Sequence, residues 1–303
     1  MVKAAERAHV IGATALQVFA DNPTAWRRRA GPPRELPAFR ELLAAHDIAP
    51  LAIHAPYLVN LAGPGEDFFG RSIAVLSHDL RAALGFGARF FNVHIGSHLG
   101  SGVGAGVRRV AEGLRLALAE VDDGPAAAMV VLENSAGNGF GLGVDVTELA
   151  SIAGAVESLG IPSRRIGFCL DTAHAWGAGI DLGDPARTDA FLEDFEARIG
   201  LDRLVMIHLN DSKADLGSRL DRHEHVGAGR IGATGLAHLL GHPSLGHVAY
   251  VLETPGMEEG YDAVNLSRVR DLLDGRPLAT LPPEAMTVRG SRSRSGPPSG
   301  PGE

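Results

Sequence analysis

Short apolar, β-branched runs recur along the chain, each with an acid or a histidine at or near its downstream end. They are "ALQVFADN" (15–22), "PLAIHAP" (50–56), "FFNVHIGS" (90–97), "MVVLENS" (129–135), "IGFCLDTAH" (166–174), "LVMIHLND" (204–211) and "HVAYVLET" (247–254). Runs that are apolar at nearly every position predict strands buried on both faces, as in a parallel sheet. Helical stretches separate them. In "VRRVAEGLRLALAEV" (107–121), Val110, Leu114, Ala117, Leu118 and Val121 fall at helical spacing, and "DAFLEDFEARI" (189–199) behaves similarly. The polar strand-end residues His54, His94, Glu133, Asp171 and His208 follow at intervals of 40, 39, 38 and 37, and Glu253 comes after a further 45. One strand, one helix and two loops fill such an interval. The pattern predicts an α/β fold, a TIM (β/α)8 barrel, with functional residues at the C-terminal ends of the strands.

Seven strands are recognisable, not eight. The chain opens on a helical stretch, Ala4 to Ile11, with no strand before it. The first barrel strand is therefore expected to be missing, from a truncated chain or a misplaced start. The strands beginning at Ala15 and near His247 would then be open edges. The far C-terminus, "VRGSRSRSGPPSGPGE", is low in complexity. A single domain over 1–280, ending near Pro277 to Pro283, and a disordered tail over 281–303 are expected.

Composition narrows the class. With 303 residues, 45% of them hydrophobic, the chain can bury one large core. No apolar run is long enough to span a membrane, and the N-terminus lacks a signal peptide's apolar core. The single cysteine, Cys169, lies inside a strand, where core packing is expected rather than nucleophilic chemistry. It excludes an internal disulfide and fits a reducing, cytoplasmic setting. The formal net charge of −8 argues against nucleic acid unless the acids gather around bound cations, which would reverse the local field.

In a barrel, the six strand-end residues point into one cavity. Packing so many ionisable groups together is costly unless something pairs with them. Mixed imidazole and carboxylate donors suit zinc, with manganese or iron as alternatives. A carboxylate shared between two ions is the arrangement used in phosphodiester hydrolysis. The stretch "RLDRHEH" (219–225) follows the "MIHLND" strand and lies over the same mouth. If extended, it places Asp221 and His223 on one side. His174, three residues beyond Asp171, can turn toward that loop and complete a further site of two histidines and one aspartate. His225 is the spare. The glycine runs "GSGVGAG" (100–106) and "GNGFGLG" (137–143) are expected to be mouth loops rather than phosphate cradles. Trp26 and Trp176 are expected to pack.

The motifs "HAPYLVNL", "NVHIGSH", "VLENSAG", "CLDTAHAWGAGID", "MIHLNDSKADLGSRLDRHEHVGAG" and "VLETP" resemble those of the endonuclease IV family of apurinic/apyrimidinic endonucleases. The resemblance runs from about residue 4 to about residue 276, with the motifs in order and spacing. It implies a TIM barrel of the xylose isomerase-like kind with a trinuclear zinc cluster, three ions per chain, manganese being an alternative at one position. His54, His94 and Glu133 would hold one ion. Glu133 would bridge to a second, held also by Asp171, His208 and Glu253. His174, Asp221 and His223 would hold the third. The implied activity is hydrolysis of the phosphodiester 5′ to an abasic site in double-stranded DNA, leaving a 3′-hydroxyl, within base-excision repair. Glu133 would help to orient the attacking water, Tyr57 and Leu58 would fill the gap left by the flipped nucleotide, and the chain would act as a monomer.

The chain departs from the family's pattern in three places. The family's first strand, with its "GAH" motif, is absent before Val2. Thr24 stands where an arginine enters the DNA in familiar members, leaving Arg27 and Arg28 as substitutes. Pro56 replaces a common serine. Two other classes fit the architecture: a metal-dependent sugar isomerase or epimerase of the same barrel group, and a DNA-binding barrel with structural metals. The pairs Asp171–His174 and Asp221–His223 are more than a one-metal isomerase needs, and an intact ligand set favours catalysis over a structural role.

Overall fold

The computed structural model describes residues 1–121 and 124–288; the expected tail beyond Val288 lies outside them. The elements alternate as the hydrophobic pattern predicts. After helix α1 (Val2–Ile11) come strand β1 (Leu16–Phe19), α2 (Leu36–Ala45), β2 (Leu51–His54), α3 (Glu66–Phe86), β3 (Phe90–His94) and α4 (Val103–Ala119). Then follow β4 (Met129–Glu133), α5 (Val146–Ser158), β5 (Ile166–Asp171), the short α6 (Thr172–Ala178), α7 (Pro185–Arg198) and β6 (Leu204–His208). The two-residue strands β7 (Asp211–Ser212) and β8 (His223–Glu224) precede α8 (Gly232–Gly241), β9 (Ala249–Val251) and α9 (Tyr261–Leu273).

Local chemistry sets several of these boundaries. Asp145 caps α5 by accepting from Glu148 N at 2.9 Å, while Glu148 Oε2 accepts from Gly143 N and Val144 N. The first bond satisfies a donor that a helix start leaves open, and the other two tie the incoming loop to the first turn. Gly143 combines φ 83° with a backbone so close to Ile95 that a Cβ would lie 2.5 Å from its Cδ1, so no larger residue fits there.

Among the described residues one parallel sheet runs β1-β2-β3-β4-β5-β6-β9. This is a TIM barrel with one strand missing from the sheet, and the two open edges are the ones the sequence predicts. The ring of helices nevertheless closes, because α1 packs on α9. Arg7 Nε donates to Asp262 Oδ2 at 2.9 Å, and Arg270 Nη2 donates to Gly12 O at 2.5 Å, across that junction. No helix among the described residues is long and apolar enough to cross a membrane.

Alternation along each strand separates two cores. One face of the sheet, with Ile53, Phe91, Leu132, Phe168 and Ile207, joins the helices in the main apolar cluster. Ala52, Phe90, Val131, Cys169 and Met206 form a second, smaller cluster. Each of the latter sits two positions before His54, Asn92, Glu133, Asp171 and His208, on the same strand face. The barrel interior is therefore apolar below and ionisable above. The register sets His94 beside Glu133 and Asp171 beside His208.

The packed domain extends past the Pro277–Pro283 boundary expected from sequence. Arg268 Nη1 donates to Ala279 O at 2.6 Å, and Ala285 is fully buried. Buried polar partners hold this proline-rich segment where composition alone predicted a tail.

Candidate metal centre

The strand ends deliver their side chains to one mouth. His54 and His94, at the ends of β2 and β3, direct their Nε2 atoms to Glu133 Oε2 at 3.5 and 3.4 Å. The other oxygen, Glu133 Oε1, lies 3.6 Å from His208 Nδ1. His208 Nδ1 is also 3.4 Å from Glu253 Oε2 and 3.9 Å from Asp171 Oδ2. Asp171 Oδ2 in turn lies 3.6 Å from His223 Nε2. Asp221 meets His223 Nε2 at 3.0 Å and His174 Nε2 at 3.5 Å. Donor atoms within 4.8 Å of one another form three groups: His54–His94–Glu133; Glu133–Asp171–His208–Glu253; and Asp171–His174–His223. The first two coincide with groups expected from the resemblance. In the third, Asp171 stands where Asp221 was expected, with the Asp221 carboxylate lying next to both histidines.

Local structure explains how "DTAH" and "DRH" join the strand ends. Asp171 ends β5 and caps α6, its Oδ1 accepting from His174 N at 2.7 Å. This single turn swings His174 back over the mouth. His223 opens β8, which pairs antiparallel with β7, so the loop is extended there as expected.

Carbonyl oxygens, which only accept, fix three imidazole tautomers. His54 Nδ1 donates to Ala55 O at 2.6 Å, His174 Nδ1 to Asn134 O at 3.0 Å, and His223 Nδ1 to Glu253 O at 2.9 Å. Each Nε2 is left as a lone pair facing a carboxylate of the cluster, the form a metal ligand takes. Two asparagines hold carboxylates, and a third holds the main chain of Asp171. Asn92 donates to Glu133 Oε2 at 2.5 Å, Asn210 to Asp171 Oδ2 at 2.8 Å, and Asn134 Oδ1 accepts from Asp171 N at 2.6 Å. The motif reading missed all three, although each lies within two residues of a ligand in "NVH", "EN" and "HLN". It also missed Gln17, which touches both His208 and Glu253.

The electrostatics fit a cation. Burial favours the neutral form of Glu133, yet His94 and His208 hold its carboxyl well below the usual range. Burial likewise opposes charge on His174, but Asp171, Asp221 and Glu133 lift it well above an ordinary histidine. His223, also buried, is pushed up to about 9 by Asp171 and Asp221. By itself the cluster balances its acids by protonating imidazoles; a metal ion supplies that charge in place of the protons. Glu133 Oε1, His208 Nδ1 and His223 Nε2 are buried without a hydrogen-bond partner among the described residues. Such orphaned atoms cost about 1–3 kcal/mol each unless something fills the space between them. A mixed set of imidazoles and carboxylates matches zinc.

Residues 5–273 match the family described as a xylose isomerase-like TIM barrel. A probable endonuclease 4 from Halothermothrix orenii is 38% identical over 271 residues, covering 88% of this chain and 95% of that protein. One from Methanosphaerula palustris is 39% identical over 90% of this chain and 94% of its own length. The crystal structure of endonuclease IV from Thermus thermophilus superposes with a TM-score of 0.77 at 37% identity, over 90% of this chain and 94% of that one. The chain belongs to the endonuclease IV family. It is a metal-dependent endonuclease of that family. A D-tagatose 3-epimerase-like protein, with a TM-score of 0.64 at 18% identity, shares the fold alone.

The remaining family positions divide sharply. Tyr57 is half-exposed, its ring 5.5 Å from that of His54 and 5.9 Å from that of His94, so it stands at the mouth; Leu58 beside it is partly buried. Thr24 is exposed, but its hydroxyl is bonded to Asn22 Oδ1 at 2.9 Å. Of its two candidate substitutes, Arg28 is withdrawn: it is paired with buried Asp79 at 3.3 Å and donates to Asn22 O at 2.9 Å. Arg27 is exposed. His225 is not at the mouth. It is fully buried, its Nδ1 accepts from Asn265 at 2.9 Å and its Nε2 donates to Ala285 O at 3.0 Å, so neither nitrogen is left for a metal. Cys169 is buried in the barrel, and burial pushes its thiol up to about 11. Trp176 is buried, with Nε1 donating to Ala214 O at 2.9 Å, and Trp26 packs edge-on to Phe68. Of the two glycine runs, 137–143 is a loop after β4, tied to the segment after β3 by Leu142 N to Gly96 O and His98 N to Phe140 O at 2.9 and 3.0 Å, whereas 103–106 of the other form the first turn of α4 rather than a loop.

Proposed function

We propose that this chain is an apurinic/apyrimidinic endonuclease of base-excision repair. It hydrolyses the phosphodiester 5′ to an abasic site in double-stranded DNA and leaves a 3′-hydroxyl. The observation that carries this is the convergence of His54, His94, Glu133, Asp171, His174, His208, Asp221, His223 and Glu253 on one mouth, with buried donor atoms left unpaired, in a chain of the endonuclease IV family.

The three groups would hold three zinc ions, with Glu133 a member of the first two groups. Bound zinc supplies a water of lowered pKa and a Lewis acid for the phosphate oxygens. The protein's own groups do the rest. Glu133, whose carboxylate is held by Asn92, would orient the attacking water. The apolar barrel floor of Ala52, Phe90, Val131, Cys169 and Met206 keeps bulk solvent from reaching the site from below. Tyr57 and Leu58 fill the space vacated when the abasic nucleotide leaves the stack, a step made easier by the missing base. The cations offset the chain's net charge of −8 where the DNA backbone approaches. The chain acts as a monomer in the cytoplasm.

A duplex carrying one abasic-site analogue tests this. Nicking 5′ to the analogue that disappears on chelation and returns with zinc is expected, with three zinc ions per chain by elemental analysis. Intact duplex after incubation with zinc-loaded protein would overturn it. At most one tightly bound ion would overturn the trinuclear centre.

A further inference from the structure

Gln17 crosses the seam where β1 and β9 lack backbone pairing. Its side-chain amide lies between two members of the second ligand group. Nε2 is 3.0 Å from Glu253 Oε1, and Oε1 is 3.2 Å from His208 Nε2. The orientation is forced. The Glu253 carboxylate only accepts, so it takes the NH2 of Gln17. The amide oxygen therefore faces His208 and also only accepts, so His208 Nε2 carries the proton. The lone pair on His208 Nδ1 is thereby aimed at Glu253, Glu133 and Asp171, and that atom is the one buried without a hydrogen-bond partner.

His208 differs here from His54, His174 and His223, whose tautomers are fixed by backbone carbonyls. It is wholly buried, and its Nε2 is met by a side chain from another strand, 191 positions away. Glu253 shares that contact. It lies beyond the end of β9 and is anchored by its backbone N–H to Asn210 Oδ1 at 2.9 Å; the Gln17 contact is what orients its carboxylate.

We propose that Gln17 is a positioning residue of the metal centre: from the open edge of the barrel, one amide fixes both the tautomer of His208 and the direction of the Glu253 carboxylate. The assignment rests on the three-metal reading above. Its consequence is that a single substitution at a residue that is not itself a ligand disturbs two ligands of the same ion together.

Two variants separate the two contacts. Gln17→Met keeps the length and removes both hydrogen bonds. Gln17→Glu keeps an acceptor for His208 but sets a carboxylate against Glu253. Zinc affinity is measured on stripped protein against a chelating indicator. The tautomer of His208 is read from nitrogen-15 chemical shifts of labelled histidine, and folding from circular dichroism. In Gln17→Met, a mixed His208 tautomer is expected with roughly 10–100-fold weaker binding of one zinc, the range seen when a ligand's hydrogen-bond partner is removed. Gln17→Glu is expected to keep the Nε2–H tautomer and still bind that zinc more weakly. Wild-type zinc affinity and tautomer in a folded Gln17→Met protein would overturn the assignment. If Gln17→Met does not fold, Gln17→Glu decides: wild-type zinc affinity there overturns it, and weaker binding of one ion with the tautomer retained supports it. A wild-type chain that binds no zinc defeats the metal-centre reading instead, and is distinguished from the failure of Gln17 by the unsubstituted control.

Discussion

Two buried polar clusters start from neighbouring residues and end in opposite states. His223 faces the barrel mouth, where its Nε2 has carboxylates around it and no hydrogen bond among the described residues. His225, two residues on, faces the C-terminal segment, and both of its nitrogens are engaged, by Asn265 and by Ala285 O. Around it Asn265 Oδ1 accepts from Val226 N, and Arg268 donates to Val226 O and Ala279 O. A buried polar group with its partners in place is structure. A set of them converging without partners is a place prepared for a guest. Residue type does not tell the two apart, since both clusters are built from histidine and hydrogen-bonding side chains.

The most severe way to break this contrast is to withhold the guest. Chelation should abolish cleavage and lower the melting temperature, because an ion bound only to the native state stabilises it. Calorimetry with and without zinc checks this, and identical melts would mean that the mouth tolerates its orphaned atoms unaided. Next in size is Glu253→Gln, which keeps the side chain's shape and removes its charge. Turnover should fall on the order of 10²-fold or more, as when one transition-state contact is removed, with a smaller loss of DNA affinity. Equal losses in turnover and affinity would make Glu253 a structural support. On the other cluster, His225→Leu strands the Asn265 amide and the Ala285 carbonyl, at a cost of about 2 kcal/mol. Urea unfolding should show it, while zinc content and cleavage per folded molecule stay at wild-type levels; a fall in zinc content would link the two clusters. The smallest effect is expected of Tyr57→Ala. Abasic DNA should bind about tenfold more weakly, near the low end of stacking contributions, with affinity for intact duplex nearly unchanged. A drop in melting temperature without a change in DNA selectivity would make Tyr57 a packing residue.

The fold was legible because period carries it. Apolar runs separated by helical spacing predicted the strand order, the edges at β1 and β9 and the C-terminal ends as the site. The strand-end ligands were legible because a barrel gives every strand the same exit. Their hydrogen-bonded supports were not. Asn92, Asn134 and Asn210 are common polar residues whose roles depend on which carboxylate or main-chain group lies opposite, and no spacing encodes that. His225 shows the converse: in sequence it belongs with "DRHEH", but its ring turns away from the mouth to Asn265 and Ala285, partners that lie 40 and 60 positions downstream.

The C-terminal segment marks the same division. Its proline and small-residue composition predicted a tail from 281. Arg268 and His225, distant in sequence, hold its backbone against the domain at Ala279 and Ala285. Sequence by itself determined the barrel, its missing strand and the residue types that meet at the mouth, because periodicity and strand-end position are local properties of the chain. Only the tertiary structure decided which oxygen faces which imidazole, that Asp171 lies between two groups, and that Gln17 spans the open seam. Those outcomes depend on atoms brought together from strands as far apart as β1 and β9, and no local pattern contains them.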